Sequence, residues 1–239
     1  MAQLLRADLL PEAWIAPAKV RQLRALLRHR ISLVRLGTQL RNRIHAVAAD
    51  HGYDRSASYW TGPGRGWLAE LDLPAASRQI VTDCLAVIDG LAPLIDRIDG
   101  ELHAHAKADP RVKALRTLPG VGEFTALVMV AEIGDVTRFP SAHQLASWAG
   151  LTPTVRGSDL KVRHGHISKQ GSAWLRWAMN QAAQTAKRSP DFAASYAAIA
   201  RRRGKHIATI AIARNLLTRA WHLLDQMPAA DPGTPPRRP

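Results

Sequence analysis

Apolar residues recur at three-and-four spacing over two long stretches of this chain. In residues 19–50 they are Val20, Leu23, Leu27, Ile31 and Val34, continued by Leu36, Leu40, Ile44 and Val47. The period predicts one long helix, with Gly37 marking a shift of the apolar face. In residues 76–107, Val81, Cys84, Ile88, Leu91, Ile95, Ile98 and Leu102 alternate by three and four, the heptad spacing of a coiled-coil seam. Gly90 and Pro93 fall inside that stretch and predict a kink or a break. Together the two helices read as a hairpin arm that packs on itself or on another protomer. Residues 124–133 are mostly apolar and predict a buried helix. Residues 172–188 and 191–227 predict two more helices parted at Pro190, the second carrying an apolar run from Ile207 to Leu224.

Polar, glycine- and proline-rich stretches separate these helices. Residues 51–75 hold Gly52, Gly62, Pro63, Gly64, Gly66 and Pro74, which predicts a loop with one short helix, pinned by Trp60 and Trp67. Residues 1–18 read as a short helix followed by an extended piece. Pro119, Gly120, Val121 and Gly122 form a tight turn, and a short helical segment ends at Gly150. Residues 151–171 read as a polar, basic loop. The proline-rich tail from Pro228 reads as disordered. The expected fold is mainly α, with a coiled-coil-like arm over 19–108, a helical domain over 109–227 and a tail over 228–239.

Composition narrows the function classes. Cys84 is the one cysteine, so no internal disulfide forms, and its seam position assigns it to packing. No signal peptide is visible and no apolar run is long enough to span a bilayer, so a soluble, cytoplasmic protein without a membrane partner is expected. Charge is more informative. Residues 136–239 hold 16 Lys and Arg against 4 Asp and Glu, whereas residues 1–135 hold 17 against 15. That asymmetry is the footprint of a polyanion binder. Residues 19–50 add eight Lys and Arg against Asp50 alone, among them Arg41 and Arg43.

Three groups of residues carry candidate chemistry. The Gly120-Val121-Gly122 turn opens a helix and could offer backbone N–H groups to a nucleic-acid phosphate; a plain turn between core helices explains it equally well. Ser158 sits among small and polar neighbours, with Arg156, Lys161, Arg163, His164, Lys169 and Arg176 around it in sequence. Those cations would hold a phosphodiester and offset charge in a transition state. Serine is a weak nucleophile without a base or metal, and residue types alone favour a loop serine in a DNA-binding patch. The pairs His103/His105 and His164/His166 lack further ligands and cysteines nearby, so a zinc site is rejected.

The blocks Leu118-Pro119-Gly120-Val121-Gly122, Ala131-Glu132-Ile133-Gly134-Asp135, Arg138 to Pro153, Ser158 and Gly165 to Arg176 occur in an order that resembles one family. It is similar to insertion-sequence transposases with a DEDD catalytic domain, the IS one-ten group of bridge-RNA-guided recombinases. Leu4-Leu5-Arg6, Leu10-Pro11 and Arg41-Asn42-Arg43-Ile44 resemble the same family's segment after its first domain. The resemblance implies DNA transposition through a serine nucleophile, falling on Ser158, that forms a serine–DNA phosphodiester. It implies a helix-hairpin-helix-like element, nucleic-acid contacts by the cations named above, a guide RNA, a dimeric or tetrameric assembly and association with the nucleoid. The family usually has Ser-Gly where this chain has Ser158-Asp159, and an acid there repels phosphate. The family's four magnesium-binding acids belong to a RuvC-like nuclease domain that would precede Met1, with 1–18 a residual segment after it. No cofactor is therefore expected on this chain alone, and magnesium only with a supplied nuclease domain. A non-catalytic DNA- or RNA-binding remnant or regulator is the alternative.

Overall fold

A computed structural model of the chain describes Arg6, residues 14–158 and residues 161–227. The helix expected at the start of the chain, apart from Arg6, and the tail from Pro228 lie outside the described residues. Contacts divide the chain into two units, one of Leu26–His103 and one of residues 1–25 with 104–239.

The first unit is built on helices α1 (Ala18–Asp50) and α3 (Ala75–Ala108), with the short α2 (Gly62–Glu70) between them. Between Leu26 and His103 the two long helices run antiparallel. Arg30 donates through Nε and Nη2 to the two carboxylate oxygens of Asp99, at 2.6 and 3.0 Å. His51 Nε2 lies 2.8 Å from Ser77 Oγ near the other end. Gly37 is buried between these ends, and a Cβ there would touch Leu91. Leu27, Ile31 and Ile44 of α1 and Val81, Cys84, Ile88, Leu91, Ile98 and Leu102 of α3 are buried, as the apolar spacing predicts. Ile95 is only half-buried, and Leu36 stands off the seam at 40% exposure.

The break expected at Gly90 and Pro93 does not occur: α3 continues through Pro93. Both residues are on the exposed side, where the missing backbone hydrogen bond faces water, while Ile88, Leu91 and Ile98 hold the buried side. Tyr59, Leu68 and Leu71 join Ile44, Cys84 and Ile88 in one core, with Trp60 and Trp67 packed against it. The two tryptophans thus anchor residues 51–75.

The second unit is organised around α9 (Lys205–Asp225), which packs on α4 (Pro110–Leu115), α6 (Ala142–Trp148), α7 (Ala173–Ala186) and α8 (Pro190–Arg203). Helix α5 (Glu123–Ile133) is buried from Ala126 to Ile133 and packs on α7. The helix expected over 191–227 is two helices. Gly204 adopts φ +88° between α8 and α9, a conformation that ends a helix and that other residues rarely adopt.

Residues 151–171 are not a loop throughout. β1 (Pro153–Ser158) and β2 (Lys161–Ile167) form an antiparallel hairpin, paired from Pro153 with Ile167 to Ser158 with Lys161 and irregular between Pro153 and Val155. Pro153, Thr154 and Val155 are all exposed, as are Gly157, Gly165 and His166. With no buried residue among those described in the two strands, the alternation that marks a half-buried strand is absent.

Candidate nucleic-acid interface

The hairpin rises from a rigid base. At the end of α6, Gly150 has φ +69° and lies so close to residues 169–170 that a Cβ would overlap their backbone; Gly171, at φ +64°, likewise meets the Trp148 carbonyl. Ser168 N–H donates to Thr152 O at 2.9 Å and Lys169 N–H to Gly150 O at 3.2 Å. Arg176 Nη1, from α7, donates to Ala149 O at 3.0 Å and Gln170 O at 2.8 Å. Lys169 has φ +55°, an uncommon conformation for a residue with a Cβ, held by these neighbours on both sides.

Ser158 ends β1 at the opposite end of the hairpin, paired with Lys161. It stands five residue steps along the strand from Pro153, roughly 17 Å at strand rise. The side chains of Arg156, Ser158, Lys161, Arg163 and His164 lie outside the described structure. Their backbones place all five on one hairpin, so the sequence grouping is also a spatial one.

Beside the hairpin base runs a groove of about 640 Å³. Pro153, Ile167, Ile207 and Ile210 supply apolar wall, and Lys169, Arg203, His206 and Arg214 supply positive or titratable groups. Among the described residues, no Asp or Glu lines it. Lys169, Arg203 and Arg214 form no salt bridge with a described residue. His206 and Ile207, then Ile210, then Arg214 recur by three and four along one face of α9, with Arg203 beside them at the end of α8, while Ala208, Ile212, Ala213, Leu216 and Leu217 fill the buried face. The sequence carries a basic cluster, Arg201, Arg202, Arg203 and Lys205, just ahead of this stripe. The periodicity that identified the core held the signal.

The other sequence candidates are distributed. Gly120 has φ +77°, and a Cβ there would overlap the Ala182 carbonyl of α7. Its glycine requirement comes from close packing of two elements. Gly122 is exposed and N-caps α5 with no atom near its would-be Cβ, so backbone there is open to solvent. Glu123 follows it and pairs with Arg116 at 3.3 Å. Arg41 and Arg43 lie in the arm unit: the Arg41 guanidinium is 5.6 Å from the Trp60 ring centre, and Arg43 is exposed.

Two buried polar clusters brace the second unit. Glu132, 5% exposed, accepts a hydrogen bond from Ser172 Oγ at 2.9 Å and lies 3.9 Å from Arg24 Nε. Arg24 also donates to the carbonyls of Ala131 and Glu132, at 2.7 and 3.0 Å. Arg138 sits against Trp14, Phe139 and Trp148, its guanidinium carbon 4.2–4.5 Å from each ring centre. Burial, with repulsion from Arg24 partly offset by Asp135, pushes its pKa down to about 10. Among the described residues, no group of three or more His, Cys, Asp or Glu is placed to hold a metal ion, and no helix is long and apolar enough to cross a membrane.

Residues 112–197, from α4 through the hairpin and α7 into α8, match the Transposase IS116/IS110/IS902 family. Over 92% of its length the chain is 24% identical to a probable family 20 transposase of Pseudomonas aeruginosa, covering 68% of that protein. It is 29% identical to the transposase for insertion sequence element IS1111A of Coxiella burnetii, over 84% of this chain and 57% of that one. It is also 29% identical to the putative transposase y4qE of Sinorhizobium fredii, over 80% and 47%. The chain thus spans about half to two thirds of the length of these curated relatives.

Proposed function

We propose, from the premise that residues 112–197 carry a transposase domain of the IS116, IS110 and IS902 kind, that this chain binds DNA in transposition and presents Ser158 as the nucleophile. The observation that carries the reading is the position of Ser158, at the end of a strand whose hairpin bears Arg156, Lys161, Arg163 and His164 and whose base adjoins a cation-bearing groove. In the proposed step Ser158 Oγ attacks phosphorus. An Oγ–P bond forms, the P–O bond to the leaving sugar oxygen breaks, the seryl proton passes to a base and the leaving oxygen gains one. Conserving the phosphodiester as a serine ester lets a second DNA hydroxyl reverse the step and rejoin the strand.

Magnesium chemistry of the two-metal kind needs gathered carboxylates. The described residues do not fit that requirement, so no step here runs through the metal. Its ligands belong to a nuclease domain supplied in addition to the residues described. A guide RNA and a homo-oligomer complete the reading, with Arg41 and Arg43 as further backbone contacts.

Covalent trapping tests it. The chain is incubated with supercoiled element DNA, magnesium and candidate guide RNA, with and without a supplied nuclease domain, and resolved on a denaturing gel. The expected protein–DNA adduct needs the added domain and disappears in Ser158→Ala. Salt-sensitive DNA binding without any adduct favours a second reading, a non-catalytic binding module, for which Asp159 beside Ser158 is the motivating observation.

A further inference from the structure

The groove at the hairpin base has a composition that duplex DNA does not call for. A duplex presents phosphates outward and hides the flat faces of its bases in the stack, so a surface that meets it needs cations and little apolar area. This groove has both. Ile207 is 49% exposed, and Ile210, Ile167 and Pro153 continue its apolar surface. Lys169, Arg203 and Arg214 supply charge on the same walls, and no carboxylate lines them among the described residues. Its volume of about 640 Å³ lies in the range of pockets that enclose small organic groups.

We infer that the groove binds unpaired nucleotides of single-stranded DNA, with base and ribose against Ile207 and its apolar neighbours and phosphates on Lys169, Arg203 and Arg214. An unpaired nucleotide combines the two properties the walls match, an apolar ring face and a charged phosphate. Apolar side chains pack on the faces of bases taken out of the duplex stack, and a basic track beside such a surface follows the strand. The inference deepens the proposed function and rests on it for the choice of DNA. The groove lies at one end of the hairpin and Ser158 at the other, so the strand would be gripped roughly 17 Å along from the attacked phosphate. Holding the strand open there lets the hairpin tip reach a backbone free of its complement.

Fluorescence anisotropy with a labelled thymidine 12-mer, the same sequence as a duplex, and its RNA counterpart tests the inference on the full chain. Ile207→Asn is the main variant, because the residue is exposed and the change leaves charge untouched. It is expected to weaken single-strand binding about tenfold while moving duplex binding less than about twofold. Arg214→Gln is expected to reduce the salt slope of single-strand binding by about one. Equal loss on single strand and duplex in Ile207→Asn, or no loss on either, overturns the inference. So does an effect confined to the RNA strand, which would make the groove an RNA site. Ser158→Ala is expected to bind the single strand as the parent does. Failure of the trapping experiment with the Ile207→Asn effect intact therefore removes the nucleophile and leaves the groove; an adduct without that effect does the reverse.

Discussion

Gly120 and Gly122 stand two residues apart and meet different constraints. Gly120 combines a left-handed φ of +77° with a backbone approach from Ala182 that leaves no room for a Cβ. Gly122 has φ −82° and open space around it. Gly120→Ala should therefore destabilise the protein by about 2 kcal/mol or more, from backbone strain and overlap together. Gly122→Ala should cost about 1 kcal/mol or less, the change in capping alone. Urea unfolding at constant m-value measures both. If Gly122 backbone meets a DNA phosphate, its alanine variant loses DNA affinity out of proportion to that small cost. A Gly120→Ala variant as stable as the parent would remove the packing account. The sequence showed the turn but left its purpose open, because the Ala182 carbonyl comes from an element some sixty residues on.

At the scale of elements, most helices were legible and the hairpin was not. A long helix with one buried stripe writes its period into the sequence, as in the helices over 18–50 and 75–108. Among the described residues, the hairpin strands have no buried side chain to write with. Its charge and its two interior glycines, Gly157 and Gly165, read as loop. The break at Gly204 was missed because the apolar residues on both sides continue at helical spacing. What fixes the hairpin is its base, and there Arg176 has a definite task. Its Nη1 ties Ala149 O to Gln170 O across the two ends of the hairpin segment. This favours positioning over the phosphate contact expected for it. Arg176→Met should lower stability by about 1–2 kcal/mol through two carbonyls left with poorer partners, and should leave the salt slope of DNA binding within about 0.3 of the parent. A slope reduced by about one, with stability unchanged, would return Arg176 to the phosphate-binding set.

Across the whole molecule a few cations, Arg24, Arg138 and Arg176 among them, brace the fold, and others stand in water. Among the described residues, the buried core of the second unit is apolar apart from Glu132 and Thr209, and those have hydrogen-bond partners. The excess cations of residues 136–239 include exposed ones at the end of α8, where Arg201, Arg202 and Arg203 stand in water. Surface charges of this kind contribute little to folding. Each one that meets a DNA phosphate instead releases condensed counterion, so affinity for any DNA sequence should fall linearly with salt on logarithmic axes. Replacing Arg201, Arg202 and Arg203 together by Gln should flatten that slope by roughly two to three, because each phosphate contact contributes about 0.9. Stability should change by no more than about 1 kcal/mol, since none of the three is buried. Anisotropy at several salt concentrations reads the slope and urea unfolding reads the stability. An unchanged slope would move the phosphate contacts away from the α8–α9 corner, with the arginines of the arm helix, Arg41 and Arg43 among them, next to be neutralised. A flattened slope with intact folding would make that corner the entry to the groove, where polyanion is first gathered by charge and then sorted by its unpaired bases.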